Sequence, residues 1–133
     1  MNPRFPLYIP TKGRADSRLT SKALDRMGVP HRLVIEEQEW DAYAAVVGPA
    51  KLLVLDKQYQ RDHDTFDNLG DTKSKGPGAA RNFIWEHSIA EGHPWHWVMD
   101  DNIKAFYRFN KNLKVPAGDG SSSLYSWMTL SAV

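Results

Sequence analysis

His31-Arg32-Leu33-Val34-Ile35-Glu36, then Gln38 to Val47, then Leu52-Leu53-Val54-Leu55: this run of residues 31–55 decides the fold. Its first part is short, apolar and partly β-branched, which suits a strand. Its second part reads as a short helix closed by Gly48-Pro49. Its third part is continuously apolar, as expected for a strand covered on both faces of a parallel sheet. Strand, helix, strand in that order is the βαβ unit of α/β proteins.

The same alternation extends both ways. Upstream, Leu7-Tyr8-Ile9 lies between Pro6 and Pro10 and reads as a strand ending in the loop Thr11-Lys12-Gly13-Arg14. Asp16 or Ser17 is the expected cap of the next helix, since their oxygens accept from first-turn amides. Leu19, Ala23, Leu24 and Met27 recur at helical spacing on its inner face, and Gly28 and Pro30 stop it. Downstream, Lys57 to Lys75 is too polar for core and reads as a loop, mobile or ordered by a ligand. Gly76-Pro77-Gly78 opens a helix to about Glu91, with Ala80, Phe83, Ile84 and His87 inward. Trp95 to Met99 is a strand running into Asp100-Asp101-Asn102, and Ile103 to Phe109 another. Most of the five tryptophans are expected in core or on sheet faces. The expected fold is α/β, a mostly parallel sheet flanked by helices over residues 1–117. Residues 118–133 read as a Ser-rich linker and tail.

The chain has 133 residues, Lys+Arg 17 against Asp+Glu 16, and a formal charge of +1, so it is neither a nucleic-acid coat nor an acidic tail. With 41% hydrophobic residues it can bury a core, and with no cysteine it has no disulfide, thiolate zinc or thiol chemistry. Its longest apolar stretch, Ala42 to Val47, is far short of a membrane span. The expectation is a soluble cytoplasmic domain without membrane contact.

Ligands of open α/β sheets collect at the carboxyl ends of strands. Four polar clusters fall there: Thr11 to Arg14, Glu36-Glu37, Asp56, and Asp100-Asp101-Asn102. Asp100 and Asp101 repel each other and so suit a hard divalent cation; a solvated turn is the alternative. Gly76 to Asn82 puts small residues and Arg81 at a helix start, which suits a phosphate or simply close packing. His93 and His96 are three apart, but Pro94 breaks a shared helical face, so structural roles are expected for them. His63 reads as solvated. Lys104, Arg108, Lys111 and Lys114 form a basic strip, either a solvated strand edge or a DNA contact.

Tyr8 to Arg14, with its Ile-Pro-Thr-x-x-Arg, Gly76 to Asn82, with its Gly-x-x-x-Ala-Arg-Asn, and Val98 to Ile103, with its Asp-Asp-Asn, together resemble a GT-A glycosyltransferase. The likeness is to the TET-associated glycosyltransferase group of phages and bacteria, over about residues 5 to 115. It implies a GT-A-like (Rossmann-like) sheet, here the donor-binding half, and a nucleotide-sugar donor such as a UDP-sugar. It implies Mn²⁺ or Mg²⁺ on Asp101 and Asp100. Pro10, Thr11, Lys12 and Arg14 correspond to the nucleotide loop, Glu36 to the acid that meets uridine, and Arg81 to the arginine near the diphosphate. Asp101 and Arg81 are the implied catalytic residues. The implied acceptor is a hydroxymethylated pyrimidine in phage DNA, with a homodimer among the expected assemblies. Two other readings compete: a non-catalytic nucleotide- or nucleic-acid-binding module derived from such an enzyme, and a nucleotidyltransferase. The latter calls for a Gly-rich triphosphate loop that the sequence lacks.

Overall fold

The computed structural model describes residues 3–62 and 77–116. Four short strands, β1 (Leu7–Pro10), β2 (Arg32–Ile35), β3 (Leu52–Val54) and β4 (Trp97–Val98), form one parallel sheet in the order β3-β2-β1-β4. Among the described residues four α-helices accompany it: α1 (Leu19–Arg26), α2 (Trp40–Val47), α3 (Lys57–Asp62) and α4 (Gly78–Ala90). This is the expected α/β architecture, a Rossmann-like, GT-A-like sheet flanked by helices.

Alternation along the strands divides the core in two. Leu7, Ile9, Leu33 and Ile35 face α1 and α2 and meet Leu24, Met27 and Tyr43. Tyr8 and Val34 point the other way, to Ala80 and Ile84 of α4, with Tyr59 of α3 packed alongside. The register explains this split, since Ile9 pairs with Leu33 and Leu33 with Leu52, so like faces align across the sheet. Burying the largest of these side chains contributes about 1.5–3 kcal/mol each. The buried Tyr8 and His31 side chains are paired: the Tyr8 hydroxyl is 3.0 Å from His87 Nδ1. His31 is buried, its Nδ1–H donating to the Val29 carbonyl at 2.9 Å while Nε2 accepts from the Ser21 hydroxyl at 2.7 Å. His96 bonds Ser88 at 3.1 Å, and His93 lies 3.9 Å from Glu91.

Several expectations are corrected. Neither Asp16 nor Ser17 caps α1; its N-cap is Arg18, at φ 38, with no side-chain cap. Helix α1 ends as expected, Gly28 taking φ +68 while the Val29 amide closes on the Leu24 carbonyl at 2.9 Å. Strand β3 is covered on both faces as expected, Leu52 in one core cluster and Leu53 packed on the other, but it lies at the edge of the sheet and Val54 is exposed. Lys57 to Asp62 is helix α3 rather than loop, because Asp56 caps it: its carboxylate accepts from the Gln58 amide at 2.9 Å. The rest of that polar stretch, with His63, lies outside the described residues.

The strand expected from Ile103 begins only at Tyr107. There β5 (Tyr107–Asn110) pairs antiparallel with β6 (Leu113–Pro116) in a separate two-stranded sheet. Lys111 and Asn112 both take positive φ, 50 and 63, the backbone of a two-residue type I′ hairpin turn. Trp40 and Trp97 pack on the core as expected, whereas Trp85 and Trp95 are exposed. Trp127 and the expected linker and tail lie outside the described residues.

Candidate functional site

From β1 the chain steps to β2 and β3 on one side, then returns past β1 to β4 on the other. Helices cover both sheet faces, so the reversal leaves a crevice at the carboxyl ends of β1 and β4, the usual ligand position in such sheets. A cleft of about 260 Å³ opens here, lined by Pro10, Thr11, Lys12, Arg14, Glu36 and Asp101. Val34, Ile35, Leu55 and Gln60 complete one wall, and Pro77 and Ala80 at the start of α4 the other.

A directional chain of hydrogen bonds holds Asp101. The Thr11 hydroxyl donates its one proton to Asp101 Oδ2 at 2.8 Å. The Tyr43 hydroxyl, 2.8 Å from Thr11 Oγ1, must therefore be the donor there, and it accepts in turn from the Arg14 amide at 3.1 Å. Arg14 closes the loop on itself: its Nη1 donates to Asp101 Oδ1 at 2.8 Å. Each oxygen of this carboxylate thus accepts a bond, and the side chain is 17% exposed. Bonds ending on a charge are about twice as strong as neutral ones.

Asp100 differs. Its side chain is 68% exposed and pairs with Arg81 Nη2 at 3.1 Å, outside the cleft lining. Each of the neighbouring acids is thus offset by its own arginine, which relieves the repulsion expected between them. Thr20 in α1 pins the turn that presents both: its hydroxyl donates to the Asp100 carbonyl and accepts from the Ile103 amide at 2.9 Å. The Thr20 amide also reaches the Asp101 carbonyl at 3.4 Å.

On the wall that Gln60 lines, Glu36 accepts from Lys12 Nζ and Gln60 Nε2, both at 2.9 Å, and from Gln38. Burial pushes the Glu36 carboxyl up, but these three hydrogen bonds and the Lys12 charge outweigh it and hold it below the usual carboxylate range. The Gly13 amide, in a loop that Gly13 turns at φ +66, donates to Glu39.

Of the residues singled out in the sequence, Pro10, Thr11, Lys12, Arg14, Glu36 and Asp101 come together around one cleft. Asp100 and Arg81 instead form a pair next to the lining residues Asp101 and Ala80. Asp56 is spent on capping α3, and Glu37 pairs with Lys57 at 2.8 Å in solvent. Three site residues were missed: Tyr43, Thr20 and Gln60. Tyr43 carried a signal, a hydroxyl at an inner helical position that must find a partner once buried. Thr20 and Gln60 carried none.

Among the described residues no group of three or more His, Asp or Glu side chains gathers around one point. The donor set is one inward carboxylate with a second beside it. That does not fit a cation caged by protein alone, but it fits Mg²⁺ or Mn²⁺ completed by substrate phosphates and water, the common mode for Mg²⁺.

The family model for the TET-Associated Glycosyltransferase matches residues 5–127, and the chain belongs to that family of glycosyltransferases. No curated protein and no solved structure matches it. No helix among the described residues is long and apolar enough to cross a membrane.

Proposed function

We propose that this TET-associated glycosyltransferase moves a sugar from a UDP-sugar onto the hydroxyl of a hydroxymethylated pyrimidine in DNA, with Mn²⁺ or Mg²⁺ held by Asp101 and Asp100. The observation that carries the reading is the cleft itself. A cation-rich loop (Lys12, Arg14), an acid at the end of β2 (Glu36) and a mostly buried acid after β4 (Asp101) surround one crevice at the switch point of the sheet.

The roles follow from charge. Without ligand the site is self-neutralised, Arg14 on Asp101 and Arg81 on Asp100. A diphosphate gives both arginines a better-matched partner for their planar forks. The bound cation would act as a Lewis acid that neutralises the charge growing on the leaving diphosphate. Arg14, Lys12 and Arg81 share that stabilisation electrostatically, and Glu36 meets the uridine end through its hydrogen-bonding carboxylate. In the transfer the bond from the anomeric carbon to the phosphate oxygen breaks. The acceptor oxygen bonds to that carbon, and its proton passes to the released UDP or to solvent.

The experiment is thermal melting with UDP, UDP-sugars and Mn²⁺. UDP with Mn²⁺ raises the melting temperature, and Asp101→Ala abolishes the rise. Either an unchanged rise in that variant or no rise in the wild type overturns the assignment. Sugar transfer to a hydroxymethylated oligonucleotide separates the enzyme from a binding module, which would show the rise without turnover.

A further inference from the structure

We propose that the β5–β6 hairpin is a stacking surface for unpaired bases of a nucleic-acid strand. It takes its purpose from the transfer reading above, as the place where the acceptor strand is held.

In the hairpin register, Tyr107 stands opposite Pro116 and Phe109 opposite Lys114. Residues directly opposite share a face, so both rings and the Lys114 ammonium lie on one side. Tyr107 is 48% and Phe109 78% exposed. Lys114 Nζ sits 4.0 Å from the Tyr107 ring centroid, a cation–π contact that orients the ring. Two residues along a strand separate the rings by about 7 Å, a spacing that an extended strand of bases can match.

Charge points to the same partner. Residues 103–116 carry Lys104, Arg108, Lys111 and Lys114 and none of the chain's 16 Asp and Glu, which leaves the remainder net acidic. Exposed rings interleaved with lysines are what single-stranded nucleic acids bind, bases stacking while phosphates meet cations. Sheets use alternate aromatic positions for this. A lipid surface fits less well: the exposed aliphatic Leu113 pairs with Asn110, on the opposite face from the two rings. The surface is also near the cleft, since the six residues from Asp101 to Tyr107 span at most about 20 Å.

The test is fluorescence anisotropy with a labelled oligodeoxythymidine, its duplex, and anionic phosphatidylglycerol vesicles in parallel. Wild type binds the single strand in preference to the duplex. Tyr107→Ala with Phe109→Ala weakens it at least about tenfold. Because both rings are exposed, the circular dichroism and the UDP–Mn²⁺ melting shift of that variant stay as in wild type. Lys111→Gln with Lys114→Gln lowers the salt slope by about 1.4, the value for two single-strand phosphate contacts. The surface is refuted if the affinity ignores the two alanines, if no oligonucleotide binds, or if only vesicles bind through Phe109. Oligonucleotide binding that depends on these rings, without any response to UDP, keeps the surface and removes the transfer reading. A UDP response with ring-independent oligonucleotide binding does the reverse.

Discussion

Tyr43→Phe takes one oxygen out of the molecule and leaves its packing in place. Tyr43 is 0% exposed, and its hydroxyl joins the Arg14 amide at 3.1 Å to Thr11 Oγ1 at 2.8 Å. The substitution deletes two hydrogen bonds and strands the Arg14 N–H. Each bond contributes about 0.5–1.5 kcal/mol net, and a stranded buried donor costs about 1–3 kcal/mol. Partial hydration of the Arg14 amide softens the second figure, so the expected loss is about 2 kcal/mol. For a domain of this size that lowers the melting temperature by about 7 °C. Thr11→Val is the partner substitution, removing the next link while keeping the branched shape. If the chain from Arg14 to Asp101 acts as a unit, the two losses are not additive, and the double variant falls short of their sum by at least about 0.5 kcal/mol. Chemical denaturation of the four proteins measures this. Strict additivity, or a Tyr43→Phe protein melting within a degree of wild type, refutes the directional chain.

Thr20→Val removes the hydroxyl that holds the Asp100 carbonyl and the Ile103 amide while keeping the side chain's shape. It is expected to cost about 1–3 kcal/mol and to weaken UDP–Mn²⁺ affinity more than Val54→Ala, a control on the exposed edge; calorimetric titration compares them, and equal affinities count against Thr20 as the pin of the acid turn. Glu36 gives a pH dependence. Its carboxyl titrates lower folded than its ordinary 4.5, so its stabilisation is fully present above that value and lost as pH falls through the folded one. Glu36→Gln removes this contribution, and its stability relative to wild type improves as the solution is acidified below pH 4.5; parallel denaturation curves at pH 7 and pH 3.5 would instead show that Glu36 is not held ionised.

The layers were legible because burial imposes periods on sequence. Leu7, Ile9, Leu33 and Ile35 alternate with Tyr8 and Val34, and Ala80 and Ile84 recur at helical spacing, so β1, β2, α1, α2 and α4 could be read directly. What failed was local geometry that no period encodes. Arg18 rather than Asp16 or Ser17 begins α1, in a left-handed conformation that residue type does not advertise. The Lys111-Asn112 turn lacks the glycine that usually marks a type I′ hairpin, so β6 was not read, and the strand expected over Ile103 to Phe109 starts only at Tyr107. Lys57 to Asp62 is polar apart from Tyr59 and still helical, because Asp56 caps it and Tyr59 packs on Phe83 at 5.6 Å between ring centroids. In the site, residue types at strand ends pointed to Thr11, Lys12, Arg14, Glu36 and Asp101. The supports Tyr43 and Thr20 lie inside helices; the phenol of Tyr43 signalled a need for a partner without naming it, and Thr20 looked like any core position.

The two acids show why position, rather than residue type, sorts the site. Asp100 and Asp101 are adjacent and chemically identical, and each meets an arginine. Asp101 is drawn inward because β1 ends beside β4, which puts the Thr11 hydroxyl and Arg14 within 2.8 Å of its two oxygens. Asp100, one residue earlier, lies outside the cleft lining and, among the described residues, pairs with Arg81 from α4 in a largely exposed contact. A charge interaction at an exposed pair contributes about 0–1 kcal/mol, whereas the same arrangement in a partly closed crevice is screened far less. Any ligand that competes for the arginines therefore frees Asp100 at little cost and Asp101 only by remaking the Thr11–Tyr43–Arg14 loop. Anion binding at this edge is accordingly coupled to the conformation of residues 11–14, the loop whose hydrogen bonds Tyr43→Phe and Thr11→Val interrupt.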